Sequence, residues 1–220
     1  MEEFQAGNRA AMGYLALPEQ GHGPGVLVLH AWWGLTAVVK GVCDRLATEG
    51  FVAFAPDLYD GRTAATIDEA QELMAKRDAG RMRAVALAAM DRLRADSTVG
   101  EQAIGVVGFS MGANWAFLLN ELKPDDIAAV VAFYGTGEMD FTASRAAYLG
   151  HYAEQDEFDP LESVRALEAE IRSAGREVTF HVYPGTRHWF FEQDRPDAYD
   201  APAARLAWDR TTAFLHSHLG

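Results

Sequence analysis

The stretch "AIGVVGFSMGANWAFLL", residues 103–119, changes character at its middle. Residues 103–109 are small or β-branched apolar types that suit a buried strand, whereas 111–119 read as a helical face ending near Asn120. Ser110 stands at the junction, with Gly108 two residues before it and Gly112 two residues after. A sharp strand-to-helix turn brings backbone and neighbouring elements too close for larger side chains at those two places. Such a turn lifts the serine hydroxyl above a sheet and aims the following helix N-terminus at any anion formed there. Gly105, Gly108 and Gly112 also spell a glycine-rich loop. Their spacing departs from the dinucleotide fingerprint, and no Lys-Ser/Thr pair follows as in a phosphate loop. The stretch therefore predicts a strand, a nucleophile elbow and a helix.

Similar apolar runs lie on both sides of it. "GVLVLHA" (25–31), "FVAFAPD" (51–57), "IAAVVAFYG" (127–135), "AAYLGHYA" (146–153) and "VTFHVYP" (178–184) suit buried strands, making six with 103–109. Helix-like segments cover about 36–49, 66–95 with a break near Gly80, 111–122, 160–174 and 199–216. Strands alternating with helices predict an α/β fold: a mostly parallel sheet covered on both faces, with "AMGYLALP" as an antiparallel edge strand. With 220 residues, 49% of them apolar, the chain can bury a sizeable core and is expected to form a single domain over 1–220. Functional groups in such a sheet gather at the carboxyl ends of the strands.

Composition excludes several classes of partner. A net charge of -13 argues against nucleic acid or an anionic membrane surface, both of which attract basic patches. The single cysteine, Cys43, excludes an internal disulfide, and its place in an apolar-periodic segment predicts burial and not thiol chemistry. The acidic start lacks a signal-peptide pattern and no apolar run approaches the ~20 residues of a membrane span, so a cytoplasmic protein is expected.

A serine is a weak nucleophile until a base takes its proton, so a histidine and an orienting carboxylate should follow. His188 in "YPGTRHWF" follows the last strand through a glycine-containing loop, where a base can swing back over the elbow. His30, His151 and His181 fall inside strand runs, and His216 and His218 lie at the C-terminus. His151 reads as a satisfied core or supporting group. In "EQDEFDPLES" the Asp159-Pro-Leu-Glu run reads as the N-cap, first-turn proline and capping-box glutamate of the next helix. Asp156 then remains as the functional acid, ahead of Glu154 and Glu157. Asp57 precedes the serine and reads as a loop brace.

Taken together, "VLHAWWGL", "APDLYDG", "GFSMG", "EQDEFDP" and "YPGTRHWFFEQDRPDAYDAPAARLAWDRT" resemble the dienelactone hydrolases of the α/β-hydrolase superfamily, from about residue 25 to the C-terminus. The resemblance implies a sheet of seven to eight strands and hydrolysis of esters or lactones with no cofactor or metal. It also implies the triad Ser110, His188 and Asp156, and an oxyanion hole from the backbone N–H groups of Trp32 and Met111. Two departures matter. The family's cysteine nucleophile and its glutamate after the first buried strand are Ser110 and Ala31 here, which suits a plain Ser-His-Asp relay. The family's two substrate-binding arginines correspond to about Ile67 and to Glu192, which argues against dienelactone itself.

Around the expected site the sequence is aromatic, and Trp33, Tyr134 and Trp189 are candidate pocket residues, Phe190 a core one. About ten residues follow "FYG" before the next strand, too few for an inserted cap domain. The expectation is a serine esterase or lactonase for small, mostly neutral substrates, as a monomer or weak homodimer, with Glu192 repelling anionic substrates. A thioesterase or acyl transferase using the same triad is the alternative within enzymes, and a silent binding protein the alternative outside them.

Overall fold

The computed structural model describes residues 1–100 and 102–220. The chain divides into two compact units, Met1–Ile104 and Gly105–Gly220.

The first unit opens with a hairpin in which β1 (Glu2–Ala6) and β2 (Arg9–Ala16) pair antiparallel, Ala6 opposite Arg9. The turn between them uses Gly7 at φ 67°, a conformation glycine adopts without steric cost. Here the sequence expectation needs correction. "AMGYLALP" does form an antiparallel strand, but β2 also pairs with β4 (Val52–Pro56), so the edge strand is β1. In "EEFQA" Phe4 and Ala6 point inward while Glu3 and Gln5 face solvent, the period-two pattern of a half-buried strand. The Phe4 ring meets Phe54 of β4 edge-on at 5.5 Å.

β3 (Gly25–Leu29) pairs parallel with β4, and all ten of their residues are buried. Between them runs α1 (Ala37–Thr48), and after β4 come α2 (Ile67–Ala75) and α3 (Ala79–Ala95). The break expected near Gly80 lies slightly earlier, at Lys76–Asp78. Thr66 and Glu69 form a reciprocal capping box that starts α2, and Asp78 accepts from the Arg81 N–H at 2.9 Å to start α3. Gly80 is therefore inside the first turn of α3 and breaks nothing.

Cys43 sits on the buried face of α1, and burial pushes its thiol well above the ordinary range. Thiolate is the reactive form, so iodoacetamide is expected to leave the native protein unmodified and its activity unchanged. Mass spectrometry before and after denaturation checks this, with one adduct per chain expected only after unfolding.

The second unit contains β5 (Ile104–Phe109, from Gly105 on), α4 (Met111–Leu122), β6 (Ile127–Phe133), β7 (Ala147–Gln155), α5 (Leu161–Ser173), β8 (Val178–Arg187) and α6 (Ala201–Leu219). β6, β7 and β8 pair in parallel. The strands form an eight-stranded sheet in the order β1-β2-β4-β3-β5-β6-β7-β8. On one side of β3 the strands follow in sequence as β5, β6, β7 and β8, and on the other lie β4, β2 and β1; in such a mostly parallel sheet the carboxyl ends of the strands carry function. Residues 134–146, between β6 and β7, hold neither helix nor strand, so no cap domain is inserted there. No helix among the described residues is long and apolar enough to cross a membrane.

Candidate active site

Ser110 occupies the junction of β5 and α4 at φ 50° and ψ −114°, a conformation that costs a non-glycine residue of order 1–3 kcal/mol. Neighbouring backbone holds it there: its N–H donates to Phe133 O at 2.8 Å, and its carbonyl accepts from Ala113 N–H at 2.9 Å. The glycines supply the room. A Cβ on Gly108 would lie 2.3 Å from Gly112 O, and one on Gly135 would lie 2.5 Å from Ser110 O. The expected reason for glycine before the serine is thus visible atom by atom, and Gly135 is a third such glycine that the motif does not contain.

His188 directly follows β8 and is 4% exposed. Its Nε2 lies 2.9 Å from Ser110 Oγ and its Nδ1 lies 2.7 Å from Asp156 Oδ2. With Nδ1–H donating to the carboxylate, Nε2 carries the lone pair that accepts from the serine hydroxyl. Asp156 sits in the loop after β7. Its second oxygen, Oδ1, accepts from Phe158 N–H at 2.9 Å and Asp159 N–H at 3.0 Å, so the loop folds around the carboxylate and fixes its direction.

Asp159 departs from the sequence expectation. The residue at the N-cap of α5 is Pro160, and no side chain caps this helix. Asp159 instead accepts from Thr136 Oγ1 at 2.6 Å, and its other oxygen lies 3.9 Å from His188 Nδ1. The Thr136 hydroxyl, from the loop after β6, thus takes the place that a helix amide would have had. Burial raises the Asp159 carboxyl above its usual range, against the lowering effect of Thr136. Asp156, Asp159 and His188 bring three potential metal ligands within 4.8 Å of one another. Asp156 and His188 already pair with each other, and Asp159 with Thr136.

Among the described residues, those other than glycine with positive φ are Asp60, Ser110, Tyr134 and Trp189; Ser110 belongs to this hydrogen-bond chain, and Tyr134 and Trp189 have rings beside His188. Tyr134 is fully enclosed, its ring centroid 5.0 Å from that of His188 and its hydroxyl donating to Glu192 Oε1 at 2.9 Å. As a candidate pocket residue it presents no surface to solvent and instead backs the histidine. Trp189 is half-buried with its ring 4.9 Å from His188. Phe190 is wholly buried, as expected of a core residue. Met111 is the first residue of α4. In the first unit, Trp32 and Trp33 follow β3 with their rings edge-on at 5.4 Å, and Trp33 is 2% exposed.

Glu192 corrects a second expectation. Its carboxyl is buried and held by Tyr134, and desolvation raises its pKa to about 8, aided by Asp194 and opposed by Tyr134 and Arg195. It therefore offers no exposed negative charge to repel a substrate near neutral pH. Sequence reasoning also missed Phe158, a 46% exposed aromatic beside His188. The available signal was one large apolar residue within the acidic "EQDEFD".

The Glu192 environment has a measurable consequence. Between pH 4.5 and about 8 the folded state retains a proton that the unfolded state has released, so stability from this group falls as pH rises through that window. While the gap lasts the slope approaches about 1.4 kcal/mol per pH unit. Glu192→Gln keeps an acceptor for Tyr134 and removes the titration. Its melting temperature is expected to gain on wild type steadily from pH 5 to pH 8.5. Equal differences at both pH values would overturn this account.

His151 and His30 have structural partners. His151 is fully buried between Tyr183 Oη at 2.8 Å and Thr211 Oγ1 at 3.0 Å, and burial holds it well below the ordinary imidazole range. His30 accepts from Leu58 N–H at 3.1 Å, and Asp57 accepts from Tyr59 N–H and Gly61 N–H, bracing the loop after β4.

A serine at a strained strand-to-helix turn, with a histidine and a carboxylate from later loops of a parallel sheet, defines the α/β-hydrolase class. A sequence profile of the dienelactone hydrolase family matches residues 11–219, and the chain belongs to that family of carboxylic ester and lactone hydrolases. It is 36% identical to "Protein usf" of Aquifex pyrophilus over 228 residues, covering 100% of this chain and 98% of that one. It is 32% identical to the "Putative carboxymethylenebutenolidase" of Aquifex aeolicus (strain VF5), with the same coverage of 100% and 98%. Among solved structures, one titled "m3DLH" superposes with a TM-score of 0.89 at 25% identity, covering 100% of this chain and 97% of that one.

Proposed function

We propose that the protein hydrolyses small, mostly neutral carboxylic esters or lactones by a Ser-His-Asp relay through an acyl-enzyme. The observation that carries this reading is the continuous chain from Ser110 Oγ to His188 Nε2 at 2.9 Å and from His188 Nδ1 to Asp156 Oδ2 at 2.7 Å. In it, Ser110 attacks the carbonyl carbon as its proton passes to His188, while Asp156 holds the imidazole in the tautomer that can accept it. The resulting imidazolium donates the proton to the departing alkoxide. Water, deprotonated by His188, then attacks the acyl-enzyme and releases the acid. The Met111 N–H is the proposed donor to the oxyanion, since it belongs to the residue after the nucleophile. The Trp32 N–H, implied by the family resemblance, is the proposed second donor.

The preference for neutral substrates now rests on the overall charge of -13 and not on Glu192. A fluorophosphonate probe tests the nucleophile: labelling confined to the Ser110 peptide is expected, and unlabelled folded protein would overturn the reading. A neutral ester should exceed an acidic analogue of similar size about tenfold in kcat/KM at low salt, narrowing as salt screens the repulsion. Preference for the acidic ester at low salt would overturn the neutral-substrate part.

A further inference from the structure

We propose that Phe158 and Trp189 form an apolar shelf for the alcohol part of the ester, making the enzyme selective for aryl-bearing leaving groups. This inference rests on the acyl-enzyme reading above. Its starting point is an anomaly of placement. Phe158 is 46% exposed, yet its backbone is fixed by donating its N–H to Asp156 Oδ1 at 2.9 Å. Its ring centroid stands 4.9 Å from His188 and 5.2 Å from Trp189. The same turn that aims the carboxylate at the histidine thus holds a large apolar ring at the edge of the reacting groups. Scattered exposed apolar residues are ordinary on protein surfaces, but this one is tied by its backbone to the Asp156 carboxylate and adjoins the base.

Chemistry then decides which half of the substrate it meets. When the Ser110 Oγ–acyl bond has formed and the C–O bond to the alcohol breaks, the proton on His188 Nε2 must pass to the departing oxygen. A general acid has to stand within hydrogen-bond reach of the atom it protonates. The alcohol oxygen is therefore on the His188 side, and the group attached to it extends over the residues that border His188. Phe158 and Trp189 border it directly. Aromatic rings on the leaving group can meet them in tilted or edge-on contacts, with further gain from apolar area removed from water. Because the alcohol departs with acylation, the shelf should affect acylation and leave deacylation untouched.

The test compares two ester series on wild type, Phe158→Ala and Phe158→Leu. In the first series the acyl group is always acetyl and the alcohol is ethanol or benzyl alcohol, which have similar acidity. In the second the alcohol is always ethanol and the acyl group is acetyl or phenylacetyl. Phe158→Ala is expected to lower the benzyl-to-ethyl ratio of kcat/KM about tenfold, with the phenylacetyl-to-acetyl ratio unchanged. Phe158→Leu, which restores apolar area, should recover part of the lost ratio. The acetyl-enzyme, formed from either ester, should partition between water and added methanol as in wild type. A uniform loss across both series would mean that Phe158 only supports the Asp156 turn, and a loss following the acyl series would put the acyl group on the shelf; either overturns the proposal. Failure of the acyl-enzyme reading is distinguishable, because it would appear as undiminished turnover in Ser110→Ala.

Discussion

Ser110→Ala is expected to lower kcat by about a millionfold, the scale of loss when a serine hydrolase is deprived of its nucleophile. Alanine keeps the Cβ and the same backbone preferences, so the φ of 50° is neither relieved nor worsened by the change. The hydrogen bonds that shape the turn, from Ser110 N–H to Phe133 O and from Ala113 N–H to Ser110 O, are made by backbone. The fold should therefore survive, with an unchanged circular dichroism spectrum and a melting temperature within a few degrees of wild type. What disappears is the Oγ 2.9 Å from His188 Nε2. Water activated by the remaining His188 and Asp156 pair is a poor substitute, since nothing positions it against the carbonyl carbon. Residual turnover above about one per cent of wild type, in a preparation free of other esterases, would show that Ser110 is not the nucleophile.

The segment around Ser110 could be read from sequence because the information there is local. A continuous apolar run, two glycines at fixed offsets and a helical face specify β5, the turn and α4 with little help from distant residues. The placements of His188 and Asp156 could be anticipated for a different reason: a parallel sheet delivers every strand end to one edge, so residues just after β7 and β8 must come near it. Where several groups compete for one partner, sequence was less informative. Asp-Pro-Leu-Glu is a sound N-terminal helix signal, yet Asp159 bonds to Thr136, a residue 23 positions away that no local pattern connects to it. The expectation that Glu192 repels anionic substrates fails because sequence does not reveal that Tyr134 and the surrounding core enclose it. β1 is absent from the expected strands, although the alternation around Phe4 and the Gly-Asn turn carry the signal.

Asp156→Asn should cost about ten-thousandfold in kcat, and Asp159→Asn less than about tenfold, although both carboxylates approach the same nitrogen. The difference lies in what each oxygen does. Asp156 Oδ2, 2.7 Å from Nδ1, accepts the imidazole proton, while its Oδ1 accepts from two backbone N–H groups. In the asparagine variant those two N–H groups retain the amide oxygen, because the amide nitrogen cannot accept from them. The NH2 group is left facing His188 Nδ1, and a donor there stabilises the tautomer with its proton on Nε2. That nitrogen can no longer accept from Ser110, and an intact geometry becomes an inactive one; an asparagine in this role lowers kcat by about 10⁴ in serine proteases. Asp159 Oδ2, at 3.9 Å, is beyond hydrogen-bonding distance of Nδ1, and its Oδ1 accepts from Thr136, which an asparagine oxygen can also do. Its substitution therefore removes a nearby charge without changing the tautomer. Steady-state kinetics on one neutral ester, with each variant checked for folding, separates the two roles. If Asp159→Asn is the more damaging substitution, the carboxylate that orients His188 during turnover is Asp159 and the roles given to the two residues are reversed.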